Sequence, residues 1–134
     1  YLKKLQIEAR VIGDLTINHI IPTAIKFQNT LIDNVRGIKD LFGPDEYKIM
    51  SERQLIAIKK ISGYIQQLRE DFHNLVEARK AANIIESYSE RAMVYSNTVL
   101  PYMERIRGVV DKLEMVVDDE LWPLPKYREL LFLR

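Results

Sequence analysis

Residues 51–82 read SERQLIAIKKISGYIQQLREDFHNLVEARKAA. Ile58, Ile61, Ile65, Leu68, Phe72, Leu75, Arg79 and Ala82 recur there in an unbroken alternation of steps of three and four, the signature of one face of an α-helix. Ser51 and Gln54 have the spacing of a capping box, and Met50 is placed to staple against Leu55. The spacing predicts a helix over 51–82, roughly 48 Å long at the standard rise. Residues 83–87 read as a short connection.

Similar patterns flank this segment. Upstream, Leu2, Leu5, Ala9, Ile12, Thr16 and His19 keep the same alternation until Pro22, which removes an amide hydrogen bond and crowds the preceding turn. The pattern resumes with Phe27, Leu31, Val35, Ile38 and Phe42, giving one long kinked helix or two helices meeting near Ile21. Gly43-Pro44 reads as a stop, Gly being able to take a left-handed cap and Pro being unable to continue. Downstream, Ser87 and Glu90 offer another capping box ahead of Tyr88, Ala92, Tyr95, Val99, Tyr102, Ile106, Val109, Leu113 and Val116. Pro101 predicts a kink near Leu100. Gly13, Gly63 and Gly108 lie inside helices, where each costs about 1 kcal/mol against Ala, and close helix approach is the expected reason.

Short connections between long helices favour antiparallel neighbours. The expected fold is all-α: a single domain over 1–134, an elongated antiparallel bundle of three long, kinked helices over 1–117, and a short C-terminal tail over 118–134. Each large stripe residue is worth about 1.5–3 kcal/mol when fully buried, most of it offset by chain entropy. In the tail, Trp122-Pro123-Leu124-Pro125 cannot be regular helix. Trp122, Leu124, Tyr127, Leu130, Leu131 and Phe132 form an apolar run suited to docking on a pre-formed surface, either the bundle's own groove or a neighbouring domain.

Composition narrows the function. The 134 residues carry 20 Lys and Arg against 19 Asp and Glu, a formal charge of +1 with the signs interspersed. No basic stripe is available to neutralise a phosphate backbone, so nucleic acid is not an expected partner. Apolar runs are far too short to span a bilayer, and membrane is not expected either. Cys is absent, which removes disulfides and thiolate chemistry and is compatible with a cytoplasmic location. The pattern opens in mid-helix, as expected of a domain excised from a longer chain.

No catalytic, cofactor-binding or metal-binding residue is expected in this chain. His19 and His73 each stand alone, whereas zinc or iron sites need several converging ligands. His73 with Glu77 one turn on reads as an ion pair on a wet face. His19 falls on the buried stripe, where a carbonyl freed by Pro22 could accept its N–H. Asp118-Asp119-Glu120 reads as a solvated helix end opposed to the macrodipole, with Lys126, Arg128, Arg134 or a neighbouring subunit as partners. The seven-residue spacing of Tyr88, Tyr95 and Tyr102 is that of core positions, each phenol reaching the bundle edge. Neither a Gly-x-Ser-x-Gly elbow nor a Gly-rich phosphate loop occurs.

Three segments carry a resemblance. Leu5-Gln6-Ile7-Glu8-Ala9-Arg10 continuing through Asn18-His19-Ile20-Ile21-Pro22-Thr23-Ala24, then Val76-Glu77-Ala78-Arg79-Lys80 with Ala82-Asn83, are similar to the C-terminal domain of type III glutamine synthetases. Asp111-Lys112-Leu113-Glu114 followed by residues 118–132 resembles the closing run of that family. The resemblance implies an accessory domain of an ATP-dependent glutamate–ammonia ligase that uses magnesium or manganese in nitrogen assimilation. It also implies assembly as double hexameric rings, a dodecamer, with the catalytic domains of the same chain and neighbouring subunits as partners. The family's catalytic motifs lie upstream of this segment, so no such role is carried to any position here. The competing expectation is a free-standing helical adaptor that binds another protein by a groove.

Overall fold

Pro22 and Pro101 shape the two outer rods of the fold. The computed structural model describes residues 1–117 and Leu131. The first rod consists of α1 (Leu2–Leu15), a π-helical turn (Thr16–Ile20) and α2 (Ile21–Leu41), running on without a break. The last consists of α5 (Tyr88–Val94), a second π-helical turn (Tyr95–Val99) and α6 (Leu100–Val116). Each π-turn ends just before its proline. A proline ring strikes the carbonyl four residues back and offers that carbonyl no N–H. Wider i→i+5 bonding loosens the ladder at that point, so the rod bends and continues. Thr16 Oγ1 and Thr98 Oγ1 donate to Ile12 O and Val94 O, each at 2.7 Å.

A π-turn inserts one extra residue, and that shifts the buried face. Leu2, Leu5, Ala9, Ile12 and Thr16 are buried as expected, but Ile20, Ala24 and Phe27 follow them. His19, expected in the core, is exposed. In the last rod Tyr95 and Val99 are followed by fully buried Met103 and Ile106, while Tyr102 is half-buried and Tyr88 exposed. Tyr95 behaves as a core tyrosine should, its phenol donating to Asn83 Oδ1 at 2.6 Å. Arg105 lies over the Tyr102 ring, 6.0 Å from its centroid.

Between the rods lie α3 (Pro44–Met50) and α4 (Glu52–Asn83). The described residues therefore form four helices, not three. Gly43-Pro44 ends one helix and starts another: Pro44 occupies the first helical position, and Asp45 and Glu46 fill the first turn, where negative charge suits the dipole. Gly43 is extended (φ −70°, ψ 168°) instead of left-handed. The expected capping box at Ser51 does not form. Ser51 N donates to Tyr47 O as α3 runs straight into α4, which holds the backbone at φ −106°, ψ 11° and leaves the buried hydroxyl without a partner. Gln54 bonds Asn34 Oδ1 instead (2.9 Å), and Met50 is exposed. At the other connection Ser87 Oγ does accept from Glu90 N, at 3.4 Å.

Cross-rod bonds fix the directions. Gln28 Nε2 reaches Ile58 O and Ser62 Oγ, and Gln54 reaches Asn34, so the first rod runs antiparallel to α4. Asn83 meets Tyr95 and Asp71 meets Arg105, so the last rod does too. Tyr1 with Ser96, and Glu8 with Arg107, show the two outer rods parallel. The α4 stripe faces both: Ile61, Ile65, Leu68, Leu75 and Ala82 are buried, and Phe72 is half-buried. Close approach explains one helical glycine. A Cβ on Gly13 would lie 3.2 Å from Phe72 Cε1, whereas Gly63 and Gly108 have nothing within 4 Å.

Candidate functional site

Two charged residues lie inside this core, and the stripe reading passed over both. Arg107 follows Ile106 on the face of α6 that also buries Met103, Val110 and Leu113, and it is 2% exposed. A buried guanidinium is tolerated only when its donors are paired. Arg107 Nε donates to Leu131 O at 2.6 Å, and Nη1 to Glu104 Oε1 at 2.7 Å. Nη2 lies 3.7 Å from Glu8 Oε2 on α1. One side chain thus links the two outer rods to a point in the C-terminal segment. Leu131 itself is 1% exposed and joins the core cluster. Trp122, Leu124, Tyr127, Leu130 and Phe132, and the acidic run 118–120, lie outside the described residues.

Asp71 occupies the corresponding place on α4, between Leu68 and Leu75. Its side chain is 3% exposed. Arg105 Nε stands 3.8 Å from Oδ1, and Oδ2 has no hydrogen-bond partner. Burial pushes the carboxyl above its ordinary value, Arg105 opposes that shift, and Glu70 adds to it. Asp71 opens on a polar cleft of about 280 Å³, lined by Gln66, Gln67, Asn74 and Arg105 among others.

The sign of this shift predicts a pH dependence. Above the raised folded-state pKa the native protein bears the whole cost of a buried carboxylate. As pH falls through that pKa toward 3.8, the native state takes up the proton first, and the cost is relieved. Asp71→Asn is therefore expected to stabilise the fold at neutral pH, by an amount that shrinks as pH falls through this window. Urea midpoints of both proteins across the acid range check it. A pH-independent difference would mean that the carboxylate is not strained by burial.

Other candidates remain dispersed. His19 and His73 are both exposed, and Glu77 pairs with Lys80 (3.9 Å), not with His73. Among the described residues no three His, Cys, Asp or Glu side chains gather as a metal site, and no helix is long and apolar enough to cross a membrane.

Exposed large apolar side chains occur in several places, and five of them fall close together in sequence. Leu41 (79% exposed), Phe42, Ile49 (78%), Met50 and Ile56 crowd the end of the bundle where α2, α3 and α4 meet. Phe42 continues the apolar spacing of Phe27, Leu31, Val35 and Ile38, yet it is 39% exposed. Beyond Val35, however, the first rod outruns what α4 can cover, so its last apolar residues emerge into solvent.

Comparison with known proteins bears on this arrangement. Residues 1–39 match the family model of the glutamine synthetase C-terminal domain. Over 132 residues, 98% of the chain, the sequence is 49% identical to a glutamine synthetase of Bacteroides fragilis. It is 28% identical over all 134 residues to the type-3 glutamine synthetase of Dictyostelium discoideum. The resemblance carried by the three sequence segments is thereby upheld. The chain spans 18% of the length of each of these relatives.

Proposed function

We propose, from the premise that this chain is a glutamine synthetase C-terminal domain, that it serves a larger ATP-dependent glutamate–ammonia ligase as a non-catalytic assembly domain. It packs on the catalytic domains of the same polypeptide or of a neighbouring subunit in a ring-shaped homo-oligomer in the cytoplasm. ATP and magnesium or manganese belong to those catalytic domains. The observation that carries this reading is the apolar tip. Leu41, Phe42, Ile49 and Met50 expose large side chains within ten residues. Patches of this kind mark protein contact surfaces. The bond from Arg107 to Leu131 O adds support, because it ties that C-terminal residue to the bundle.

The non-catalytic part is tested by assaying the purified 134-residue chain for ATP-dependent glutamine formation and, by calorimetry, for manganese binding. The expected result is neither turnover nor micromolar metal binding. Either one would place chemistry in this chain and overturn the proposal.

A further inference from the structure

Where α1, α4 and α5 converge, Arg10, Arg79 and Arg91 line a single cleft of about 360 Å³ together with Gln6, Asn83 and Tyr95. Among the described residues no acidic side chain lines it. Three guanidinium groups facing one cavity repel one another, and no described lining residue offsets their charge. Sequence reading placed Arg79 on the apolar stripe of α4, and the structure does half-bury it. Its Nε is fully shielded, yet has no hydrogen-bond partner among the described residues. A buried N–H without an acceptor is costly, and native structures seldom leave one without a reason.

The neighbouring groups are arranged as donors. Arg91 is held by its own bonds, Nε to Ile85 O at 2.9 Å and Nη2 to Glu86 O at 3.4 Å, so Nη1 remains for another partner. Tyr95 gives its phenolic proton to Asn83 Oδ1, which leaves the Asn83 amide hydrogens to donate elsewhere. Arg10 forms no ion pair among the described residues. A guanidinium gives charge-assisted hydrogen bonds to the oxygens of a planar or tetrahedral oxyanion. We infer that this cleft binds a small free oxyanion, a carboxylate or a phosphate, held by the guanidinium groups of Arg79, Arg10 and Arg91.

The test uses the 134-residue chain and follows the arginine Nε–Hε resonances by NMR. Inorganic phosphate and succinate are titrated separately, at ionic strength held constant with sodium chloride. The expected result is a saturable shift of the Arg79 resonance with at least one of them, at millimolar concentration or below. Response to phosphate alone assigns a phosphate ligand, and response to succinate alone assigns a carboxylate. By calorimetry, Arg79→Met and Arg10→Met should each weaken binding about tenfold or more, as loss of a charge-assisted hydrogen bond does. Arg105→Met, in the other cleft, should leave affinity unchanged. Arg10 is exposed, so its variant tests the site even if Arg79→Met fails to fold. No saturable response to either anion, or affinity unchanged in Arg10→Met, would overturn the inference.

Discussion

Leu68→Ala is expected to lower the unfolding free energy by about 2–5 kcal/mol, the cost of removing a large side chain from a packed core. Leu68 sits in the middle of α4 with no exposed surface, and both outer rods run along that helix. The walls belong to three separate rods, so closing the cavity would require them to move together. Phe72→Ala should cost less than its size suggests, because the ring is only half-buried and rests over Gly13. Glu70→Ala, on the wet face beside them, should change stability by no more than about 0.5 kcal/mol. Denaturant midpoints of the three variants check this ranking. A midpoint for Leu68→Ala equal to that of the parent would show that the α4 stripe is not the core.

Arg107→Met is expected to cost about 3–5 kcal/mol, as removal of one member of a buried ionic network does. Methionine fills part of the volume but leaves Leu131 O without this donor and removes the positive charge 3.7 Å from Glu8. Glu104, half exposed, returns to water at little cost. Truncation after Glu120 removes the acceptor from the opposite side of the same contact. If Arg107 holds the tail, the two changes combined should destabilise the fold by clearly less than the sum of their separate effects. Thermal melts of the four proteins close this cycle, and additive losses would mean that the tail and Arg107 act independently.

Much of this fold could be read from the spacing of apolar residues. The α4 stripe from Ile61 to Ala82 is buried nearly position for position. The errors share a physical cause: steps of three and four assume 3.6 residues per turn along the entire rod. At Pro22 and Pro101 the chain inserts a residue instead, and the face slips, putting Ile20 where His19 was expected and Met103 where Tyr102 was. The consecutive steps of four from Thr16 to Ile20 to Ala24, ending beside a proline, are the signal that would have revealed it. The Ser51 capping box failed because a box requires an extended residue before the helix, and α3 leaves no room for one.

The charged sites were harder to read. Asp71 and Arg107 each occupy a stripe-side position that periodicity alone assigns to solvent, and each is paired with a residue far away or on another rod. The arginine cleft draws on residues 6, 10, 79, 83, 91 and 95. Only antiparallel packing of α1 and α5 against α4 brings them together. The tail residue Leu131 was named from apolarity alone, and the partner of its carbonyl could not be seen in the sequence.

On the proposed reading, this domain holds a larger synthetase together through the end of its bundle. Light scattering of the full-length synthetase carrying Leu41→Lys and Ile49→Lys tests it most directly. Both side chains are more than three-quarters exposed, so the domain itself should melt as the parent does. The expected result is an assembly of lower mass than the parent, with the loss growing on dilution. An unchanged mass, with the domain still folded, would contradict it.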